Sequence, residues 1–255
     1  MRINEIEMML SAVIPVFNEE DNILPLFGEL KGIMQKITNN FEIIYVDDGS
    51  NDNTLLNLLS LFSNEKQYLR IIQLSRRFGK SAALTAGFQS IKGDIIVTLD
   101  GDGQDDPNNI PNLLSALTGE YDVVCGWRKK RHDSLLTKKV PSKIYNFLNR
   151  IFTNSNLHDN NCTLRVYRKK TVKELILPKR AHRCLPMILE NRGFNITEIS
   201  VTHRPRLSGK SKYGLKRLFT GFFDLFKFRS LTVKVDLSPQ SLYEIREKYG
   251  FEKQP

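Results

Sequence analysis

Asp100, Asp102 and Gln104 stand two apart in the run Leu99-Asp100-Gly101-Asp102-Gly103-Gln104-Asp105-Asp106-Pro107, directly after the apolar stretch Ile95-Ile96-Val97. Residues two apart at a strand end project to the same side. The two carboxylates can therefore face one hard cation, with the Gln104 amide oxygen beside them. Magnesium or manganese suits such a set, because these ions take one or two protein carboxylates and complete their shell with water and substrate phosphates. The sparse ligand set thus implies a phosphorylated substrate, and the intervening glycines keep side-chain bulk away from it.

An Asp/Gly cluster after a strand is more often a solvated turn, so rival motifs and context have to decide. Counting from Asp100, the sixth and twelfth positions are Asp105 and Pro111, where a calcium loop needs Gly and Glu. A dinucleotide fingerprint needs a third glycine at a helix start, and carboxylates this dense repel a pyrophosphate. Gly79-Lys80-Ser81 is close to a P-loop ending, but Leu74 replaces that motif's leading glycine, which argues against a phosphate cradle there.

The elements that must position these residues alternate regularly. Strands are predicted over Ala12–Val16, Ile43–Val46, Ile71–Leu74 and Ile95–Leu99, with helices starting near Glu20, Thr54 and Ser81. Strands this uniformly apolar are buried on both faces, as a mostly parallel, Rossmann-like sheet flanked by helices requires. Ligands of such sheets bind beyond the carboxyl ends of the strands. Three polar clusters fall there: Phe17-Asn18-Glu19-Glu20, Asp47-Asp48-Gly49-Ser50 and the Asp100 run. Convergence of all three on one edge is harder to explain as turn chemistry than any one alone. After Val123–Gly126 the pattern loosens, with helices expected over 142–152 and 171–175 and a strand over 196–203.

The chain has 255 residues, 40% of them hydrophobic, which is enough for one domain with a small appendage. The three cysteines lack metal-ligand spacing and fit reduced, buried thiols. The formal net charge of +10 favours an anionic partner without choosing among nucleic acid, membrane and a phosphorylated substrate. Lys and Arg thicken from Arg128 onward, placing a basic half after the acidic motifs. No interleaved aromatic–basic motif for nucleic acid is present, so no nucleic-acid partner is expected. The polar N-terminus does not read as a signal peptide and no run reaches the length of a membrane span, so the chain is expected in the cytoplasm.

Val13-Ile14-Pro15-Val16-Phe17-Asn18-Glu19, Val46-Asp47-Asp48-Gly49-Ser50 and Leu99-Asp100-Gly101-Asp102-Gly103-Gln104 together resemble the inverting family 2 glycosyltransferases of GT-A fold. Gly126-Trp127-Arg128, Asp159-Asn160-Asn161-Cys162-Thr163-Leu164-Arg165 and His203-Arg204-Pro205-Arg206 with Gly209-Lys210-Ser211-Lys212-Tyr213 are similar to the polyprenyl-phosphate sugar transferase branch, the group of dolichol-phosphate mannose synthase. The resemblance implies a nucleotide-diphospho-sugar donor, with Pro15, Phe17, Glu19, Asp47 and Asp48 around the nucleoside and Asp159 facing the sugar. It implies Mg2+ or Mn2+ on the donor diphosphate, held by Asp100, Asp102 and Gln104. A divalent cation there stabilises the charge that develops as the nucleotide leaves. Gly101 and Gly103 stand where relatives often carry Ala and Leu, and Cys162-Thr163-Leu164 replaces a common Ser-Gly-Phe. These departures bear on sugar identity more than on reaction type.

A polyprenyl (dolichyl or undecaprenyl) phosphate acceptor needs no general base, since a phosphate monoester with a second pKa of roughly 6 already carries an attacking oxygen anion. It needs cations to hold that anion in line, and Arg128, Arg204, Arg206, Lys210 and Lys212 are the expected acceptor-phosphate clamp. Asp102, Arg128 and Arg204 are expected to carry the transfer itself. His203 is expected to order the Arg204 loop.

Residues 1–213 read as the glycosyltransferase domain, 214–235 as a basic, amphipathic helical extension and 236–255 as a polar tail with one helical pattern at Leu242, Ile245, Arg246 and Tyr249. On a helix, Leu215, Leu218, Phe219, Phe222, Phe223 and Phe226 line one face. Aromatic faces flanked by Lys and Arg suit an anionic membrane surface as well as a core, and Ile144, Phe147, Leu148 and Ile151 offer a second such face. These features place the chain as a peripheral protein at the inner face of the membrane, with room for a separate membrane partner protein. Two other readings stand beside this one: a family 2 transferase using a glycan hydroxyl, which needs a base the sequence does not plainly offer, and a non-catalytic basic module binding membrane or nucleic acid.

Overall fold

The computed structural model of the chain describes residues 8–129, 157–205 and 242–251. Eight strands form one sheet in the order β7-β5-β6-β4-β1-β2-β3-β8. They are β1 Leu10–Val16, β2 Phe41–Asp47, β3 Leu69–Leu74, β4 Ile95–Thr98, β5 Val123–Trp127, β6 Arg165–Arg168, β7 Ile196–Ser200 and β8 Ile245–Tyr249. The half formed by β4, β1, β2 and β3 is parallel. β6 runs antiparallel between β4 and β5, β7 is parallel to β5, and β8 is antiparallel to β3.

Helices α1 Ile23–Ile37, α2 Thr54–Glu65 and α3 Lys80–Ser90 are the crossovers of the parallel half, and α4 Ile110–Ala116 follows the acidic run. Period-2 alternation sorts the side chains between two layers. Ala12, Ile14, Ile43 and Tyr45 pack with α1, while Val13, Ile44, Val46 and Ile72 pack with α3 and the helix Leu185–Glu190. Both sheet faces are therefore covered, which is why β2 is buried at every position. α3 is buried from Ser81 to Phe88, because it lies between the sheet and the Leu185–Glu190 layer. A fully buried Leu such as Leu30 contributes about 1.5–3 kcal/mol relative to exposure.

Several expectations are corrected. The strand expected over 196–203 stops at Ser200, and His203 returns as an isolated bridge to Asp105. The helix expected over 171–175 is a single turn, Lys169–Val172. The tail's helical pattern is strand β8, because pairing with the open edge of β3 satisfies its backbone. The helices expected over 142–152 and the amphipathic face of 215–228 lie outside the described residues. No helix among the described residues is long and apolar enough to cross a membrane.

Candidate active site at the carboxyl edge of the sheet

The three clusters do meet at the carboxyl ends of β1, β2 and β4. Two turns after β1 and β2 are laced together: Asn18 donates its backbone N–H to Ser50 Oγ (2.9 Å), its side chain pairs with Asn51 (2.6 Å), and Glu19 N–H reaches Thr54 Oγ1 (2.8 Å). Glu19 itself accepts from the Asn22 amide (2.7 Å). Phe17 lies under the Arg77 guanidinium at 4.1 Å, and Pro15 is the penultimate residue of β1.

Asp47 and Asp48 are at this edge but are largely used inside the fold. Asp47 accepts from the Ser50 N–H and hydroxyl through Oδ1, while its Oδ2 is buried without a partner among the described residues. Asp48 accepts from the N–H groups of Phe78 (2.7 Å) and Gly79 (2.9 Å), so its carboxylate shapes the loop that leads into α3. Burial raises both carboxyls from their ordinary value, against the lowering effect of these hydrogen bonds. Gly49 allows the contact: its φ is +69°, and a Cβ there would meet the Arg76 carbonyl carbon at 2.5 Å.

At the end of β4 the expected metal ligands are also engaged within the fold. Asp100 does not stand free for a cation beside Asp102. Its Oδ1 pairs with the Lys80 ammonium and its Oδ2 accepts from the Thr163 hydroxyl (3.0 Å), which Lys80 also contacts (3.0 Å). Burial alone would raise the Asp100 carboxyl; the Lys80 charge and these bonds outweigh it and hold the group below the ordinary range. Asp102 accepts from the Gln104 N–H (3.1 Å), and Gln104 spends its amide nitrogen on the Arg204 carbonyl (3.4 Å). Its amide oxygen is therefore the end suited to a cation. Gly101 lets this turn approach β1, since a Cβ would meet Val16 Cγ1 at 2.5 Å.

Among the described residues no group of three or more His, Cys, Asp or Glu is arranged to hold a metal. The hard oxygens of Asp102 and Gln104, with Asp100 behind them, still fit an ion that takes few protein ligands and fills its shell from phosphate and water. Asp105 supports that fit. It is buried, accepts the Asp100 N–H (3.0 Å), and is pushed up to about 7 by burial and then by the charge of Asp100. Added positive charge at this cluster relieves such crowding.

Arg128 and Asp159, expected on opposite substrates, bind each other. Arg128 Nε and Nη2 donate to the Asp159 carboxylate at 2.7 and 3.0 Å. Arg204, expected to clamp the acceptor phosphate, donates to Glu29 through two bonds of 2.8 Å and to Asp106 at 2.6 Å. With both carboxylates already on its fork, it ties the segment after β7 to α1. His203 bridges Asp105, in keeping with an ordering role. Arg206, Lys210 and Lys212 lie outside the described residues.

Sequence reasoning missed Lys80, Asp105 and Thr163. Lys80 was tested only as part of a P-loop, although its place after β3, at the start of α3, already put it on the ligand edge. Asp105 was hidden in a run of turn-forming acids, and Thr163 stood out only as part of the Cys162-Thr163-Leu164 departure, which does not tell that its hydroxyl meets Asp100 and Lys80.

The family model described as glycosyl transferase family 2 matches residues 11–176. A dodecaprenyl-phosphate galacturonate synthase of Rhizobium johnstonii is 41% identical over 219 residues, covering 85% of this chain and 65% of that protein. An undecaprenyl-phosphate 4-deoxy-4-formamido-L-arabinose transferase of Yersinia pestis is 35% identical over 225 residues, covering 88% and 68%. The chain thus spans about two thirds of the length of these curated relatives. Among solved structures, glucosyl-3-phosphoglycerate synthase from Mycobacterium tuberculosis, in complex with Mn2+, uridine diphosphate and phosphoglyceric acid, matches with a TM-score of 0.68 at 16% identity, covering 94% of this chain and 86% of that one. At that identity the match speaks for the fold.

Proposed function

The chain belongs to glycosyl transferase family 2, and on that premise we propose that it moves a sugar from a nucleotide-diphospho-sugar to a polyprenyl phosphate, with inversion and with the help of Mg2+ or Mn2+. The observation that carries this reading is the convergence of Lys80, Asp100, Asp102 and Gln104 on one sheet edge, in a chain 41% identical to a dodecaprenyl-phosphate galacturonate synthase. The Mn2+ and uridine diphosphate held by a protein of similar fold support the donor class.

The donor's nucleoside belongs over the β1 and β2 turns, where Phe17 and Arg77 stack and Asp47 keeps a buried oxygen without a partner among the described residues. A base carrying an N–H donor would satisfy that oxygen. The diphosphate belongs over the end of β4, beside Asp102, Gln104 and Lys80. A divalent cation bound by Asp102 and Gln104 supplies electrophilic assistance to the departing diphosphate. Lys80 adds a fixed positive charge on the same side, kept in place by Asp100 and Thr163.

The acceptor phosphate is already an anion at neutral pH, so it asks for orientation and not for a base. Arg206, Lys210 and Lys212 supply its cations in this reading, and the Arg128–Asp159 pair lines the approach. The amphipathic stretch 215–228 and the anionic inner membrane face are the proposed meeting place with the lipid, where apolar area and Lys/Arg charge add.

The test incubates the full chain with detergent-dispersed polyprenyl phosphate, a panel of nucleotide sugars and Mg2+ or Mn2+. The expected product is a lipid-linked monophosphosugar, formed with one donor and lost in excess chelator. Transfer to glycan hydroxyls with the lipid phosphate untouched would overturn the reading.

A further inference from the structure

Glu198 lies on β7 opposite Cys125, with its side chain only 11% exposed. A carboxylate at a nearly buried strand position is costly unless paired and hydrogen-bonded. Here both oxygens accept the His158 N–H (2.9 and 2.8 Å), Oε2 also receives the Asp159 N–H (3.4 Å), and Oε1 pairs with the His158 ring. Its bonds thus converge on one dipeptide, His158-Asp159.

That dipeptide is docked twice onto Trp127-Arg128 at the end of β5. The His158 ring stacks on the Trp127 indole, centroids 4.3 Å apart and planes 20° from parallel. One residue further, the Asp159 carboxylate takes the Arg128 fork at 2.7 and 3.0 Å and its backbone N–H at 3.4 Å. The two dipeptides are 31 residues apart in sequence, and Glu198 reaches them from a third segment. A bidentate pair is directional, so the aim of the Arg128 guanidinium follows the Asp159 carboxylate, and the carboxylate follows the peptide that Glu198 grips.

We propose that Glu198 is a positioning residue for the transfer reaction, acting through the His158-Asp159 peptide to hold the Arg128–Asp159 pair at the site. The proposal rests on the function proposed above and adds a residue to it. Misplacement of a reacting geometry by about 1 Å costs on the order of a hundredfold in rate, which sets the scale of the effect.

The experiment compares wild type, Glu198→Ala, Glu198→Gln, Asp159→Asn and the double variant Glu198→Ala/Asp159→Asn. Glu198→Ala lowers kcat on the lipid phosphate by about a hundredfold with donor KM near the wild-type value, and Glu198→Gln, which keeps an oxygen for the peptide N–H, recovers most of it. Because the two residues act in series, the loss from Glu198→Ala shrinks to about threefold or less once Asp159 is already Asn. Trp127 is the single tryptophan of the chain, so tryptophan emission reads the His158 stack directly and changes in Glu198→Ala.

An equal loss on both backgrounds, a lower melting temperature with kcat unchanged, or unchanged emission in Glu198→Ala would each overturn the proposal. If Glu198→Ala does not fold, Glu198→Thr, which suits a strand position but does not reach the His158-Asp159 peptide, carries the same comparisons. A wild-type protein inactive on polyprenyl phosphates refutes the parent function alone; the grip of Glu198 is then judged by Trp127 emission.

Discussion

In the proposed reaction Lys80 and Asp102 divide the electrostatic work at the end of β4, and their variants should fail differently. Asp102→Asn keeps the shape and the bond from the Gln104 N–H while removing a hard anionic ligand, so Mn2+ titration should show weakened metal binding and transfer should vanish with little change in melting temperature. Lys80→Met takes the ammonium from Asp100, which lets burial push that carboxyl upward. Calorimetry should then show weaker nucleoside-diphosphate binding even in chelator, where a pure metal-site residue has nothing to lose. Arg204 makes a third case. Its side chain ties Glu29 to Asp106, so its replacement by Ala should lower stability by about 1 kcal/mol, a charged-hydrogen-bond value discounted for an ion pair about a third exposed. The Michaelis constant for the lipid phosphate should stay near the wild-type value; a selective rise would support the acceptor-clamp role expected from sequence.

Asp122 shows the same economy between elements. It stands just before β5, accepts the Asn195 N–H (3.2 Å) next to β7 and pairs with Lys170 (2.6 Å) on the turn after β6. Burial alone would raise its carboxyl, but these partners outweigh it and lower the pKa. A depressed carboxylate contributes stability above its unfolded value of about 3.9, and loses it as pH falls through the folded value. Urea melts at pH 7 should therefore separate wild type from Asp122→Asn, and the gap should narrow progressively as pH falls below the unfolded value of about 3.9; a gap independent of pH would assign the effect to packing. The parallel half was legible in sequence because its strands are buried on both faces and read as unbroken apolar runs. β8 was not. Leu242, Ile245 and Tyr249 fit a helical spacing, while only Ile245 and Tyr249 also fit an alternating one, and the deciding contact is with β3, far away in sequence. The same distance hid the site's details: Lys80 meets Thr163, and Arg204 meets Glu29, pairings that no local pattern announces.

At the scale of the whole molecule, the sheet has two edges, β7 and β8, and the last described segment closes one of them. β8 is charged along its length, with Arg246, Glu247 and Lys248, as an edge strand that avoids self-pairing should be. It is also fastened to the side of the site proposed for the donor. Glu244 receives the Ser75 N–H and hydroxyl, both at 2.9 Å, just where β3 turns into the loop that Asp48 holds and that delivers Lys80. Tyr243 bonds Gln89 and Lys248 bonds Ser90, both at the end of α3. Ending the chain after residue 241 should therefore have two linked effects. The bare edge of β3, whose Ile71 and Ile72 are buried in the full chain, becomes a template for another copy, so light scattering after gel filtration should show concentration-dependent association. The 75–79 loop loses its anchor, so nucleoside-diphosphate affinity should fall even in the fraction that remains monomeric. Unchanged donor affinity in that fraction would reduce β8 to an edge guard, whereas a fall in affinity makes the end of the chain part of what holds Lys80 on Asp100.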